Sequence, residues 1–391
     1  MKVSIIVGGR FHAFNLAEQL SKKDFLYQLI TSYPKFYIKN NFSIHNKSII
    51  SLPLKEIIQR LTTKISIIDK YLDIDLITSN LFSSGASKSV DFKNTDILVG
   101  WSSFSLNSFK ISKNYNCLNI LERGSSHIEF QKEILEEEYN LLGLKPKVPS
   151  SRIIDKEKKE YNLSDFICVP SGFAKKSFIK KGFAESQIIK IPYGVDLKNF
   201  KKINKDKTNN KFTIISVGSL SVRKGTFYLI KAFNDLKISN SQLILVGSIE
   251  REFKKLLKPL LNDNIKLIKP VNQNSLKNYY NNASVFVTCS VEEGLSMVQI
   301  QAMACGLPII CTTNSGGEDI ISDNDSGYIL PIRDIEKLKQ KLLFLYENKE
   351  HLLFMSNNAK EKAHSYFSWE NYGKKIINFY SSVFKNQIQK K

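Results

Sequence analysis

The sequence predicts an α/β protein with two facing Rossmann-like domains, each built on a doubly wound parallel sheet. Three observations favour this fold class. The chain has 391 residues, more than one hydrophobic core usually supports. Short apolar runs alternate with longer amphipathic segments, and this alternation starts afresh after a polar stretch in mid-chain. Strands that are apolar throughout are typical of parallel sheets covered by helices on both faces.

The first strand series begins at the N-terminus. "KVSIIV" (2–7) predicts a buried strand, Gly8-Gly9 a turn, and "FHAFNLAEQLSK" a helix. The same apolar pattern predicts further strands over 27–33, 96–101, 117–122, 165–171 and 187–194. Residues 34–90 are less regular, and we expect helices there without a defined order.

The second series follows the Lys- and Asn-rich stretch 201–211, which is typical of a linker. A helix is predicted over 226–236, and strands are predicted over 212–218, 242–247, 265–269, 284–289 and 308–313. Apolar residues at helical spacing predict a long terminal helix over 367–384. We therefore predict one domain over 1–200 and another over 201–367, with ligands bound between them at the carboxyl ends of the strands.

Composition narrows the class of protein. The chain is 42% hydrophobic and 24% charged, as globular proteins are, and its net charge is +20. The charge is spread along the chain, which argues against a nucleic-acid arm. A basic surface still suits nucleotide phosphates, anionic lipid or nucleic acid, and the alternative is that most of the charge only reflects the Lys-rich composition. Five scattered cysteines without a C-x-x-C motif predict buried thiols in a reducing compartment. With no apolar run of 18 residues and no signal-peptide pattern, we predict a cytoplasmic protein.

The stretch "VEEGLSMVQIQAMACGLP" (291–308) is the first candidate site. It follows a predicted strand, so Glu293 and Gly294 should face the cleft. We predict that Ser296 caps a helix over 297–304, whose free N–H groups suit phosphate or sugar oxygens. Gly294 would let a ligand approach the backbone closely. The structural alternative is that Glu292 and Glu293 only complement the helix dipole, and spacing alone leaves both interpretations open.

A second candidate site is "VGSLSVRKG" (217–225). Gly218 ends a predicted strand, and Arg223-Lys224 open the next helix. Two cations beside free backbone N–H groups suit a diphosphate. The alternative is a solvated basic turn.

Two further candidates lie in the first domain. His127, in "LERGSSHIE", follows a predicted strand and could bond a substrate hydroxyl, or it could be a surface histidine near a helix start. Gly8-Gly9 lacks the G-x-G-x-x-G fingerprint, so it indicates either close approach of a ligand or only a tight turn.

Motifs for metals and for other enzyme classes are weak or missing. Of the two D-x-D patterns, Asp73-Ile-Asp75 lies outside any predicted strand end and Asp323-Asn-Asp325 is typical of a turn before a strand, so we predict no metal and no other cofactor. H-E-x-x-H, G-x-S-x-G and Walker A motifs do not occur, which removes support for zinc peptidases, esterases and P-loop enzymes.

Taken together, four segments resemble family 4 of the retaining nucleotide-sugar glycosyltransferases. They are "EEGLSMVQIQAMACGLPII", "VGSLSVRKG", "IPYGVD" and "SGGEDIISDNDSGYIL". The resemblance implies the GT-B fold, with an acceptor-binding first domain and a donor-binding second domain. It also implies that the terminal helix (368–391) crosses back to the first domain.

The resemblance also implies roles for individual residues. The family's E-x7-E motif falls on Glu293, which would touch the sugar hydroxyls, and on Gln301, which stands where the family has a second Glu for the ribose. An amide can still bond a ribose diol. Arg223 and Lys224 would hold the diphosphate, beside Gly218. The remaining implied site residues are Gly8, Gly9, Gly294, Leu295, Ser296 and, on the sugar side, His127.

The function so implied is transfer of a sugar from a nucleotide-diphosphate sugar to a glycan or lipid-linked acceptor in bacterial surface polysaccharide or lipopolysaccharide synthesis. Attack would be front-face, with the leaving phosphate taking the acceptor's proton. The basic, apolar segment "KISIIDKYL" (64–72) could touch an anionic membrane. Two alternatives stay open: a same-fold nucleotide-sugar epimerase, and a non-catalytic basic protein that binds nucleic acid.

Overall fold

Two separate parallel sheets organise the chain. The computed structural model describes residues 1–62, 73–203 and 211–389. The first sheet has seven strands in the order β3-β2-β1-β4-β5-β6-β7. Its strands are β1 Val3–Val7, β2 Leu26–Thr31, β3 Ile49–Ser51, β4 Ile97–Trp101, β5 Leu118–Glu122, β6 Phe166–Val169 and β7 Ile188–Lys190.

Helices cover both faces of this sheet. They are α1 Ala13–Ser21, α2 Lys35–Asn41, α3 Leu54–Thr62, α4 Ile74–Ser89, α5 Leu106–Ser112, α6 Ile128–Leu141, α7 Ser151–Leu163 and α8 Gly172–Lys180. Strand β1 is buried along its whole length, as its unbroken apolar run requires. Strand β3, in the irregular region 34–90, was not predicted, because a strand of three residues is too short to show a periodicity.

The second sheet has six strands in the order β10-β9-β8-β11-β12-β13. They are β8 Phe212–Val217, β9 Ser241–Val246, β10 Ile265–Ile268, β11 Val285–Thr288, β12 Ile309–Thr312 and β13 Gly327–Leu330. Its helices are α9 Thr226–Leu236, α10 Lys254–Leu257, α11 Gln273–Asn281, α12 Met297–Ala304, α13 Ile335–Glu347 and α14 Lys349–Tyr366. The predicted boundary at residue 200 falls between the two sheets, and most of the predicted linker (204–210) lies outside the described residues.

The terminal helix α15, Trp369–Gln389, returns to the first sheet. It packs against α1, where Gly373 lies so close to Gln19 that a larger residue would not fit. Further along, the Phe379 ring meets Phe166 edge-on at 5.3 Å. The predicted two-domain GT-B architecture with a crossing helix is confirmed.

Two other predictions concern the chain as a whole. All five cysteines are free thiols, and four of them are buried. Within the described ranges, no helix is both long and apolar enough to cross a bilayer.

Candidate functional site

A cavity of about 2240 Å³ separates the two sheets and is lined by both domains. The first domain contributes His12 and Phe104, and the second contributes Arg223, Glu293 and Gln301. The cavity lies where the carboxyl ends of the strands meet, as expected for doubly wound sheets. Arg223, Glu293 and Gln301, which were singled out from the sequence, therefore border one space.

Arg223, Lys224 and Glu293 form one ionic cluster at this cavity. Arg223 Nη1 donates to Glu293 Oε2 at 2.8 Å and to the Glu292 carbonyl at 3.1 Å. Lys224 Nζ donates to the same carboxylate oxygen of Glu293. The first two residues come from the turn between β8 and α9, and Glu293 comes from the loop between β11 and α12. The cluster therefore joins two adjacent strand ends.

Gly225 fixes the geometry of the basic turn. It stands at the start of α9 with a φ of +61°, in the left-handed region. A Cβ there would also collide with the Cys289 carbonyl, so only glycine fits. The turn that carries Arg223 and Lys224 therefore packs tightly against the second sheet.

The three charged residues of this cluster have shifted pKa values. Burial alone would raise the pKa of the Glu293 carboxyl, but the charges and hydrogen bonds of Arg223 and Lys224 outweigh burial and bring that pKa to about 2. Glu293 in turn raises the pKa of Arg223, while burial lowers the pKa of Lys224. Glu293 is thus an anion throughout the physiological range, paired with both cations.

Helix α12 begins where the sequence predicts, but not with the predicted cap. Ser296 stands at the N-cap position, yet its side chain makes no capping hydrogen bond, and only its carbonyl accepts from the Gln299 N–H. The Ser296 side chain borders the cavity together with Leu295. Gln301 also borders the cavity, and its Oε1 accepts a 3.4 Å hydrogen bond from Tyr280.

Glu292 does more than complement the helix dipole, the structural alternative that the sequence left open. Its carboxylate is fully buried and reaches across to the first domain. Oε1 accepts from Ser125 Oγ at 2.6 Å and from Ser126 N and Oγ at 3.1 and 2.7 Å. Oε2 accepts from Gln131 Nε2 at 3.0 Å. Glu292 therefore ties the loop that carries Glu293 to the start of α6.

The four candidate glycines do not border the cavity among the residues the structure describes. Gly294 packs against the Gly124 backbone of the other domain, where a Cβ would collide, so its small size serves domain contact rather than ligand approach. Gly8 lies under the Phe104 ring and Gly9 under Phe11. Gly218 has a φ of +141° at the end of β8, beside the Lys224 side chain.

His127 lies outside the cleft, which corrects its predicted position. The imidazole is only 2% exposed and is surrounded by the rings of Tyr161, Phe178 and Phe183. Its Nδ1 accepts from the Glu129 N–H and so caps α6. Burial lowers the pKa of His127 to about 4, and the ring is a neutral part of the hydrophobic core.

The histidine that does border the cavity is His12, which the sequence analysis missed. It precedes α1, and its Nε2 lies 3.1 Å from Glu122 Oε2 at the end of β5. A signal was present: Glu122 is a charged residue closing an apolar strand run, and His12 follows the turn after β1. Neither signal indicates that these two side chains are paired, because 110 positions separate them in the sequence.

The D-x-D patterns have structural roles. Asp73 caps α4 by accepting from the Leu76 N–H and also accepts from Ser150 Oγ. Asp323 accepts from the Ile329 N–H in the turn before β13. No group of three or more potential metal ligands occurs within the described part of the chain.

Comparison with known proteins shows similarity to glycosyltransferases. Residues 197–362 match the family model for glycosyl transferases group 1. An uncharacterised glycosyltransferase of Haemophilus influenzae is 34% identical over 199 residues, 49% of this chain and 55% of that protein. The capsular polysaccharide biosynthesis glycosyltransferase CapM of Staphylococcus aureus is 27% identical over 225 residues, 56% of this chain and 59% of CapM. The chain thus spans little more than half the length of these curated relatives.

A longer match and two solved structures extend over both domains. An uncharacterised glycosyltransferase of Methanocaldococcus jannaschii is 25% identical over 341 residues, 82% of this chain and 91% of that protein. Sucrose-phosphate synthase from Thermosynechococcus elongatus superposes with a TM-score of 0.72 at 17% identity, over 99% of this chain and all of that one. Anabaena HepE, solved in complex with UDP, superposes with a TM-score of 0.71 at 15% identity, over 98% of this chain and 100% of HepE. Residues 197–362 are thus similar to the glycosyl transferases group 1 family, and the chain as a whole has the GT-B fold of these solved structures.

Proposed function

We propose that the protein transfers a sugar from a nucleotide-diphosphate sugar to a hydroxyl group of a glycan or lipid-linked acceptor, with retention of anomeric configuration. The observation that carries this proposal is the ionic cluster of Arg223, Lys224 and Glu293, in which Arg223 and Glu293 line the cavity between the domains. A diphosphate is the ligand class that suits two partly buried cations at a helix start. HepE, a protein of the same fold, has been solved with UDP-glucose, which supports a nucleotide-sugar donor.

Each residue of the cluster has a task in this proposal. Arg223 and Lys224 stabilise the negative charge that develops on the departing diphosphate, and the N–H groups at the start of α12 add to this field. Glu293 leaves its two cations when the diphosphate arrives and then orients the sugar hydroxyls. Gln301 binds the ribose diol through its amide.

The proposed class of acceptor, a glycan or a lipid-linked glycan, is supported by the surface of the first domain and by the relatives. CapM is a glycosyltransferase of capsular polysaccharide biosynthesis, and AmsK of Erwinia amylovora is one of amylovoran biosynthesis. An alpha-monoglucosyldiacylglycerol synthase of Acholeplasma laidlawii is 26% identical over 251 residues. Leu54, Ile57 and Leu61 on α3 are each at least half exposed, beside the cavity. We therefore propose surface polysaccharide or lipid-linked glycan synthesis at the cytoplasmic face of the membrane.

Co-sedimentation tests the membrane part of this proposal. We expect binding to anionic vesicles of phosphatidylglycerol but not to neutral phosphatidylcholine vesicles, because the protein carries a net charge of +20. Replacing Leu54 and Ile57 by serine should weaken the binding. The segment 64–72, predicted to contribute, lies outside the described residues. No binding to either vesicle would remove the membrane from the proposal.

A sugar-nucleotide panel tests the enzymatic part. Thermal shift with UDP-, GDP-, ADP- and CMP-sugars identifies the donor, and hydrolysis and transfer assays follow on the hits. We expect stabilisation by one class of nucleotide-diphosphate sugar and retention in the product, read by NMR of the anomeric proton. Products formed without an acceptor separate a transferase from the epimerase, which would return an altered nucleotide sugar. Tight, salt-dependent polynucleotide binding without any response to nucleotide sugars would favour the nucleic-acid alternative.

A further inference from the structure

Phe11 is an exposed aromatic residue at the cavity, held in an unfavourable backbone conformation. It lies in the turn between β1 and α1, lines the cavity and is 55% exposed. Its φ of +39° is in the left-handed region, which is strained for a bulky side chain. Gly9 lies beneath the ring, and a Cβ there would collide with it. The fold therefore tolerates both backbone strain and an exposed aromatic ring at this position.

Packing does not explain the position of Phe11. The residue directly precedes His12, which stands at the N-cap of α1. An apolar residue in that position commonly packs against the fourth residue of the helix, here Leu16. Leu16 is fully buried, whereas Phe11 belongs to none of the hydrophobic clusters among the described residues. A large apolar side chain that is both strained and exposed at a cavity is typical of a ligand contact.

One face of α1 continues the cavity wall from Phe11. Asn15, Glu18 and Lys22 follow at intervals of three or four residues, so they share this face, and all three line the cavity. The helix has nine residues and is about 14 Å long. The cavity thus has a polar arm along the first domain, which we call the α1 arm (Phe11, Asn15, Glu18 and Lys22). It contributes no residue to the ionic cluster of the second domain.

The chemistry next to the Phe11 ring suits a sugar. The amide of Asn15 is half-buried and makes no hydrogen bond with any residue in the described ranges. An amide both donates and accepts, as a sugar hydroxyl requires, and an aromatic ring offers an apolar face for the C–H face of a sugar ring. A phosphate would need a cation, but Arg10 donates to Gln273 Oε1 at 3.2 Å, and Lys22 lies two turns further along α1. An acyl chain would leave the amide unpaired.

We propose that Phe11 and Asn15 form a sugar-binding subsite for the acceptor, which is an oligosaccharide chain that follows the α1 arm. This inference rests on the proposed function and names the acceptor class more closely. Phe11 stacks on one sugar ring, and Asn15 bonds a hydroxyl group of the same ring. Glu18 and Lys22 meet the next sugar units. Phe11 is thus a specificity-determining residue that selects a ring-shaped, hydroxyl-bearing acceptor and takes no part in bond breaking.

A glycan array tests the subsite. It carries bacterial surface oligosaccharides that contain glucose, galactose or N-acetylhexosamine, and binding of fluorescently labelled protein is compared between variants. Asparagine tolerates the left-handed region, so Phe11→Asn should melt at a temperature no lower than wild type. We expect this variant to lose at least about tenfold in affinity for the glycans that wild type binds. Phe36, which is 68% exposed on α2 and does not line the cavity, supplies the matched control, since Phe36→Asn should bind like wild type.

Two further substitutions separate stacking from general apolar contact. Phe11→Trp keeps a flat aromatic face and should bind the same glycans within about threefold of wild type. Phe11→Leu keeps an apolar side chain without that face and should lose as much affinity as Phe11→Asn. Full binding by the leucine variant would contradict stacking. Asn15→Ala should weaken binding about fivefold, because one hydrogen bond to a hydroxyl is lost.

The results that would overturn the inference are distinct. If wild type binds no glycan on the array, or if Phe11→Asn binds as well as wild type, the subsite does not exist, while the proposed function stands. If Phe11→Asn weakens UDP binding in calorimetry or raises KM for hydrolysis of the sugar nucleotide, the ring contacts the donor and not the acceptor. If wild type binds glycans but no sugar nucleotide, the proposed function fails, and the role of the subsite as an acceptor site fails with it.

Discussion

At the scale of single residues, the Glu293 carboxylate cannot pair with its two cations and bind the donor sugar in the same state. Here it neutralises Arg223 and Lys224, whereas the proposed reaction needs both cations on the diphosphate and the carboxylate on the sugar. With Glu292 close to Arg223 as well, the four charged groups sum to zero. A diphosphate must therefore displace Glu293, and donor binding includes breaking these ion pairs.

Replacing Glu293 by glutamine should separate its two roles. Because the substitution frees both cations, we expect UDP to bind about tenfold more tightly, while turnover of the sugar nucleotide falls. Isothermal titration calorimetry with UDP measures the first effect, and a hydrolysis assay measures the second. Glu250→Gln, which removes a carboxylate that acts on Arg223 through space only, is the control. Equal or weaker UDP binding by the glutamine variant would show that Glu293 does not compete for the cations.

The same ion pairs predict a pH dependence of stability. The folded-state pKa of Glu293, about 2, lies below its ordinary value of 4.5, so its contribution is complete above pH 4.5 and is lost as pH falls towards 2. We expect the wild type to exceed Glu293→Gln in free energy of unfolding by about 3 kcal/mol at neutral pH. Urea titrations at pH 7, 4 and 3 should show the difference shrinking. A difference that grows on acidification would contradict the assignment.

At the residue scale, the position of a residue at a strand end could be predicted where the signal is local. Arg223, Lys224 and Glu293 come from turns at strand ends that can be read from neighbouring residues, while their roles in binding stay predictions. His127 was misplaced because a histidine after a strand can face either the cleft or the core, and only the packing of Tyr161 and Phe178 decides. His12 was missed because its partner lies on a distant strand.

At the scale of elements, carboxylates of the second domain contact helix starts of the first. Glu292 accepts from Ser126 N just before α6, and Asp319 accepts from Gly172 N at the start of α8. In return, Glu138 of α6 accepts from Tyr228 Oη and Arg333 Nε of the second domain, each at 2.6 Å. Anions suit helix N-termini because of the free N–H groups and the dipole there. Three carboxylates, those of Glu138, Glu292 and Asp319, therefore make polar contacts between the two domains.

Glu292→Ala should weaken this interface strongly. The substitution leaves two serines and Gln131 without their acceptor, so we expect the free energy of unfolding to fall by about 3 kcal/mol. Small-angle scattering should also show a larger radius of gyration. Glu318→Ala is the matched control, since Glu318 bridges to a mostly exposed Lys176, and should cost less than about 1 kcal/mol. Equal effects of the two substitutions would refute the special role of Glu292.

Element boundaries were predictable wherever an apolar run met a turn signal. The helix predicted over 297–304 is observed as α12, Met297–Ala304. The order of elements in residues 34–90 was not predictable, because short strand β3 and helices α2 and α3 carry no continuous periodicity. Contacts such as Glu292 with Ser125 depend on how the domains face each other, which no local pattern encodes.

At the scale of the whole molecule, the two sheets and the returning helix α15 enclose one cavity, which Arg223 and Glu293 line from the second domain and His12 lines from the first. The two-domain architecture followed from the alternation of apolar runs and from the mid-chain polar stretch. The cavity followed from the rule that ligands bind at the carboxyl ends of parallel strands. Which residues line it on the first domain's side depended on side-chain packing and required the structure.

The most direct test of the central claim is the turnover of the best sugar nucleotide by Arg223→Ala/Lys224→Ala. Lys254→Ala/Lys255→Ala, which removes two exposed cations from the same domain away from the cavity, is the control. If the two cations stabilise the departing diphosphate, kcat/KM should fall at least about 1000-fold in the first variant and stay near wild type in the second. Full activity of a folded Arg223→Ala/Lys224→Ala protein would contradict the assignment of this cluster as the diphosphate site.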